Sequence, residues 1–268
     1  MPMDGRMAAW PAGTGCPPRA PAGPDRPVGR RLPGGGGEGR EVLEGRRVGF
    51  ALCASHHNLD TVLGWVERLV AEGADVYPIV SHSVATVATR HGTPAQWLGR
   101  LEAITGRTPW KTIPEVEPIG PKRLLDVLVI APCTGTTLAK LASGFSDSAV
   151  LMAAKAQLRN QRPVVLAIST NDGLGLNAPN LAALLNAKNV YFVPFGQDNP
   201  DEKPNSLTSR FDLLPRTVEA ALEGRQLQPL LVVPWATPEP AGGPARGGRW
   251  SGGGPGDGGP FPDGRAMP

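Results

Sequence analysis

The sequence predicts an α/β fold, a single Rossmann-like (flavodoxin-like) doubly wound parallel sheet. Three observations predict it. Short apolar runs rich in β-branched residues recur along the chain, as they do in strands covered on both faces. Stretches with apolar residues at helical spacing separate these runs. Strands alternating with helices in this way are joined by right-handed crossovers, which place helices on both faces of one sheet.

The fold is expected to occupy residues 41–233 of the 268. Residues 1–40 contain 10 Gly and 8 Pro, and residues 234–268 contain 11 Gly and 8 Pro. Segments of that composition bury too little apolar surface to offset chain entropy, so both ends are expected to be disordered tails.

Taken in order, residues 47–52 (RVGFAL) form the first strand and 53–58 (CASHHN) the loop after it. A helix follows over 59–72, with Leu59, Val62, Leu63, Val66, Leu69 and Val70 on one stripe and Gly73 as its stop. The second strand is 75–80 (DVYPIV), and 81–86 (SHSVAT) is a second hydroxyl-rich loop. Residues 94–104 read as a helix, and 106–122 as a proline-broken connection.

The central stretch is 124–144. Residues 125–131 make a nearly unbroken apolar strand, which Pro132 is expected to end; Thr134 to Thr137 form a polar loop, and a helix runs to Gly144. A further helix covers 149–160, a strand 163–168, a polar loop 169–177 (STNDGLGLN), a helix 180–186, a strand 189–193 and a last helix 213–223.

Ligands of such sheets sit outside the carboxyl ends of the strands. Four of those ends carry hydroxyl, amide or glycine residues: Ser55; Ser81 with Thr86; Thr134, Gly135, Thr136 and Thr137; and Ser169, Thr170 and Asn171. A loop that feeds a helix amino terminus offers free N–H groups and a positive dipole end to an anion. No G-x-G-x-x-G follows a core strand and no G-x-x-x-x-G-K-[ST] occurs, which argues against a dinucleotide or a nucleoside triphosphate and for a mononucleotide.

Charge and cysteine usage narrow the class. The net charge is +3, but the tails hold nine of the 27 basic and six of the 24 acidic residues, leaving 18 of each in the core. A neutral core gives no warrant for a nucleic-acid face. Three cysteines without a C-x-x-C pair fit a reducing compartment, and no apolar run of about 18 residues suggests a membrane span. A cytoplasmic protein is expected. No metal site is read.

Several residues have two readings. His56 and His57 are a proton donor or phosphate ligand, or ordinary loop residues. Cys133 is a helix-start thiol of lowered pKa or a buried spacer. Asn171 and Asp172 orient substrate or form an Asx-turn with Gly173. Lys140, Lys155 and Arg159 meet substrate carboxylates or are solvated. Trp65 and Trp97 read as packing or subunit-contact residues.

Pro132-Cys133-Thr134-Gly135-Thr136-Thr137, followed by A-K-L-A at 139–142, resembles the P-A-S-A-N-T loop of the flavin mononucleotide (FMN)-dependent family that includes phosphopantothenoylcysteine decarboxylase and the lantibiotic cysteine decarboxylases. Longer strings resemble one branch of it, the B subunits of dipicolinate synthases: residues 163–177, 190–198 (VYFVPFGQD), 203–207 (KPNSL) and 224–229 (GRQLQP). The resemblance covers about 43–233.

It implies a flavoprotein-like oxidoreductase subunit with FMN as the cofactor. A partner, the A subunit of dipicolinate synthase, would supply the NAD or NADP site. Together the two chains would oxidise a small dicarboxylate, a dihydrodipicolinate-type precursor, to dipicolinate during sporulation, in the mother cell. The resemblance also implies a homo-oligomer. Flavin contacts carry over to Ser55, Thr134, Gly135, Thr136 and Thr137, with Ser81 and Thr86 as weaker candidates; Ser169, Thr170 and Asn171 are assigned to substrate.

The departures count too. Pro118 stands where the decarboxylases have a catalytic His, and 168–175 keeps only Asn171 of their P-A-M-N-x-x-M-W motif. Thr136 replaces an amide and Ala54 a glycine. No catalytic residue is assigned. A noncatalytic scaffold for the A partner, a cysteine decarboxylase, and a flavin-bearing catalytic subunit remain as alternatives.

Overall fold

In the computed structural model, residues 42–232 are described. The expectations for the two tails lie outside them.

Strand β1 (Arg47–Leu52) leads through a 3-10 turn (His56–Asn58) into α1 (Leu59–Ala71), whose buried stripe is Leu59, Val62, Leu63, Val66 and Leu69. β2 (Asp75–Val80) is followed directly by a short helix, α2 (His82–Thr86). Helix α3 (Pro94–Thr105) starts at a capping box formed by Thr93 and Gln96 and ends at Gly106, left-handed at φ 66°. Two single turns, α4 (Ile113–Val116) and α5 (Ile119–Lys122), occupy the proline-broken connection.

β3 (Val127–Cys133) is buried at all seven positions, which is why it reads as an unbroken apolar run. α6 (Gly135–Ala142) and α7 (Ala149–Arg159) begin at Thr134 and Ser148, whose side chains accept from the backbone N–H groups of Thr137 and Leu151. β4 (Val164–Thr170), α8 (Ala178–Leu185), β5 (Val190–Phe192), β6 (Phe195–Gln197), β7 (Leu207–Ser209) and α9 (Leu214–Leu222) complete the chain.

The parallel strands lie in the order β2-β1-β3-β4-β5. This is the flavodoxin-like order, with its switch point between β1 and β3. Alternate residues feed two cores. Leu128 and Ile130 with Val164, Leu166 and Ile168 pack under α6, α7 and α8. Val127, Val129 and Ala131 with Val165 and Ala167 pack under α1, α3 and α9. Both faces of the sheet are therefore covered, as the doubly wound reading requires.

Three local expectations need correction. Pro132 does not end β3: the strand continues to Cys133, which pairs with Ile168, and the missing proline N–H falls where the register shifts between Ile130 and Cys133. Residues 82–86 are helical, because Ser81 in extended conformation starts a turn that Val84 anchors in the core. Beyond β5 the sheet is not parallel: β7 runs antiparallel to β4 through Ser169↔Thr208 and Thr170↔Leu207, and to β6.

At the amino-terminal edge, Asp126 accepts from the Arg47 backbone N–H (2.9 Å), Arg47 Nη2 (2.7 Å) and Arg162 Nη1 (2.9 Å). Burial opposes the charge of this carboxylate, but the two guanidiniums outweigh it and hold its pKa at about 2.

Candidate functional site

The loops after β1, β3 and β4 converge at the carboxyl edge, beside the switch point. They enclose a cavity of about 640 Å³ lined by Ala54 to His57, Thr134 to Thr136, Ala139, Lys140, Ser169 to Asp172 and Asn177. That volume lies in the range of small-molecule sites, roughly 300–1,000 Å³. Hydroxyls dominate the floor. Ser55, itself buried, has its Oγ 3.0 Å from Ser169 Oγ, and Asn58 Nδ2 donates to Ser169 Oγ at 2.9 Å, so the first and fourth strand-end loops are pinned to each other.

The amino terminus of α6 opens into this cavity. Thr134 caps it, with its Oγ1 3.1 Å from Thr137 Oγ1, and Thr136 and Asn171 make no side-chain hydrogen bond among the described residues. Gly135 is required by its own neighbours: a Cβ there would lie 2.6 Å from Thr170 Oγ1 and 2.8 Å from Asp172 Oδ1 and Asn177 Nδ2. These three form a cluster in which Thr170 and Asn177 donate to the Asp172 carboxylate. Those bonds lower the pKa of Asp172, so a negative charge stands beside the helix start.

His56 Nδ1 is buried without a hydrogen-bond partner. His57 lines the cavity with Nδ1 3.5 Å from Ser55 Oγ. Partial burial first, then the nearby His91, lowers the pKa of both rings; Lys203 adds to the effect on His57. Both shifts favour the neutral imidazole.

Of the residues singled out from sequence, Ser55, Thr134, Gly135, Thr136, Ser169, Thr170 and Asn171 meet in one cavity. Thr137 lies behind it, its hydroxyl donating to Cys53 Sγ at 3.3 Å. Ser81 and Thr86 line neither this cavity nor the next, because the chain at 82–86 is coiled and Thr86 Oγ1 donates back to His82 O at 2.9 Å. Cys133 is the buried spacer: burial raises its pKa well above the ordinary thiol value, and lifts Cys53 to about 11, so no helix-start activation occurs. Lys140 lines the cavity while pairing with Asp147 at 2.6 Å; Lys155 and Arg159 lie outside it. Trp97 is a packing residue, 2% exposed. Pro118 lines neither cavity and precedes α5.

A second cavity of about 590 Å³ shares His57, Ser169, Thr170 and Asn171 with the first and is closed by Asn58, Arg90, His91, Asp198, Lys203, Ser206, Leu207 and Thr208. Sequence reasoning did not find this group. Lys203 and Asp198 sat inside the strings 203–207 and 190–198, but only the antiparallel return of β7 onto β4 brings their loop over the strand ends. Among the described residues no cluster of three or more His, Cys, Asp or Glu is placed to hold a metal ion, and no helix is long and apolar enough to cross a membrane.

A flavodoxin-ordered sheet with a hydroxyl-bearing cavity at its switch point defines an α/β protein of the class whose ligand sites lie outside the strand ends. The chain belongs to the Flavoprotein family, whose profile matches residues 37–200. It is 52% identical over 190 residues to the dipicolinate synthase B subunit of Bacillus subtilis (strain 168), covering 71% of this chain and 95% of that protein. It is similar to the crystal structure of the dipicolinate synthase B subunit from Bacillus halodurans C at 50% identity and a TM-score of 0.66, over 71% of this chain and 97% of that one. A PPC decarboxylase mutant solved with pantothenoylaminoethenethiol shares the fold, at 20% identity and a TM-score of 0.51 over 67% of this chain and 100% of that one.

Proposed function

We propose that the chain is the B subunit of a dipicolinate synthase, working with the enzyme's A subunit to oxidise a dihydrodipicolinate-type precursor to dipicolinate during sporulation, in the mother-cell cytoplasm. The observation that carries this reading is the 52% identity to such a protein over 95% of its length. Aromatising the ring removes a hydride and a proton. The hydride passes to NAD or NADP held by the A partner.

FMN is the cofactor that the first cavity fits best. Ser55, Thr134, Thr136 and Ser169 would hold its phosphate and polar edge with hydroxyls and the α6 N–H groups, and the orphaned His56 Nδ1 offers a further polar contact. When bound, FMN supplies reversible acceptance of a hydride. On the protein side, the neutral His57 imidazole, exposed to both cavities, is the group placed to take a proton. Homo-oligomerisation belongs to the same proposal.

One observation favours a second reading. The Asp172 carboxylate beside the α6 start opposes a phosphate at that point, which favours a noncatalytic scaffold for the A partner. Co-purification with the A partner followed by an absorbance spectrum separates the two. A yellow complex that oxidises the precursor is the expected result; a colourless complex of full activity, unchanged by Thr134→Val, makes the chain a scaffold, and no complex at all overturns both.

A further inference from the structure

We infer that the loop 172–177, through its two exposed leucines, is the contact face for the chain that carries the nicotinamide, and that Arg90 and Lys203 beside it meet the phosphates of that dinucleotide. The inference rests on the two-chain oxidation proposed above and adds to it the surface on which the two chains meet.

The loop belongs to the cavity wall. Its two ends, Asp172 and Asn177, line the first cavity, while between them Leu174 is 48% and Leu176 91% exposed. Its backbone is fixed. Gly175 N donates to Asp172 O (2.9 Å), Ala178 N to Gly175 O (3.0 Å) and Leu174 N to Asn205 O (3.0 Å). Gly173 is seated on Leu207, whose side chain lies 2.6 Å from where a Gly173 Cβ would be. One exposed leucine on a surface needs no explanation, but two displayed by a single pinned loop on a cavity rim form an anchor. Covering them removes apolar surface from water, and little chain entropy is lost because the loop is already ordered.

The chemistry selects what covers them. In a hydride transfer the bond from the donor to hydrogen breaks as the nicotinamide C4–H bond forms, with the electron pair moving along, so the two reacting atoms must approach to roughly 3–3.5 Å. A nicotinamide held by another chain therefore enters at the cavity mouth, and the protein around it lies on the rim. Charge points the same way. The second cavity shares His57, Ser169, Thr170 and Asn171 with the first, and its lining holds Arg90 and Lys203 against a single carboxylate, Asp198. Neither cation has an ion-pair partner among the described residues. A dinucleotide is an anion through its phosphates, which this mouth complements. A second copy of the chain fits less well, because no G-x-G-x-x-G follows a core strand in it to bring those phosphates.

The test measures the affinity of the full-length chain for the purified A partner, once empty and once loaded with NADP. Leu174→Ser/Leu176→Ser should weaken binding to both forms by about tenfold. Arg90→Ala/Lys203→Ala should weaken binding to the loaded form by about tenfold and leave the empty form unaffected. Phe145→Ser, at a side chain 54% exposed beyond the far end of α6, should change neither. All variants should melt as the wild type does, and light scattering should give each the wild-type mass in the absence of the partner. Undiminished affinity in the leucine variant, an equal loss in Phe145→Ser, or a cation effect that ignores NADP would each overturn the inference while leaving the two-chain reading in place. A lower mass for the leucine variant alone gives the loop to a second copy and overturns it too. A wild-type chain that binds neither form of the A partner overturns the two-chain reading itself.

Discussion

The two edges of the sheet treat charge in opposite ways. At the amino-terminal edge Asp126 is held by Arg47 and Arg162, and all three are tied to strand ends. At the carboxyl edge His56 Nδ1 and Asp198 Oδ1 are buried without partners, and Arg90 and Lys203 stand without counter-ions among the described residues. Unmatched buried polar groups cost stability, and those beside a cavity are the ones an incoming ligand can complete. One edge of this molecule ties strand starts together, and the other lines two cavities.

The contrast breaks most visibly at Asp126. Replacing it with Ala leaves two partly buried guanidiniums without their carboxylate and should cost about 2 kcal/mol of unfolding free energy, less than for a fully buried pair because the side chain is 20% exposed. The pH profile gives the same answer by another route. A carboxyl whose folded pKa is depressed to about 2 contributes stability that is fully present above the ordinary value near 4 and is lost as pH falls between about 4 and 2. Urea titrations of the wild type over that interval should show the loss, and Asp126→Ala should lack that part of it. FMN affinity at neutral pH should not move, since the first cavity does not touch Asp126. A variant as stable as the wild type would show that the amino-terminal edge is no more structural than the other.

Which parts of this contrast were legible in the sequence follows from what each part depends on. β3 and β4 were legible because burial on both faces selects apolar residues along most of each strand, and the nearly unbroken run 125–131 is short enough for a strand. Ser55, Thr134 and Ser169 were legible as cavity residues for a local reason: each lies at or just past the carboxyl end of a strand, and the parallel order brings those ends to one edge. Thr86 misled because its hydroxyl serves its own helix, and a five-residue helix has too few positions to show a period. β6 and β7, three residues each, were too short to show alternation. The cations of the second cavity were illegible for a different reason. Arg90 and Lys203 are 113 positions apart, and only the fold-back of β7 and the seating of Gly92 on Trp97 bring them to one space.

A smaller effect sharpens the comparison at Thr134, which serves both ends of the argument. Its Oγ1 accepts from the Thr137 N–H at the start of α6, and the residue lines the first cavity. Thr134→Val removes the acceptor while keeping the shape, and should cost about 1 kcal/mol in thermal or urea unfolding together with about a tenfold loss of FMN affinity. Thr134→Ser should restore both. Lost stability with unaltered FMN affinity would confine Thr134 to capping and move the flavin contacts to Ser55 and Thr136.

The smallest effect on stability is expected from Lys203→Ala, and that is its use. Lys203 is exposed and makes no ion pair among the described residues, so its removal should change unfolding free energy by no more than about 0.5 kcal/mol. It should nonetheless be felt by His57, whose pKa is lowered by partial burial, by His91 and by Lys203. In the wild type the neutral ring is favoured by folding, so this contribution is fully present above the ordinary histidine value near 6.5 and declines as pH falls through it toward the folded value. Deleting the Lys203 charge removes one of the forces against protonation. The His57 midpoint, read from its imidazole Cε1–H resonance in an NMR titration, should move upward toward the ordinary value. An unmoved His57 would mean that Lys203 points its charge away from the shared wall of the two cavities, and the carboxyl edge would then lose the electrostatic coupling that makes it differ from the amino-terminal one.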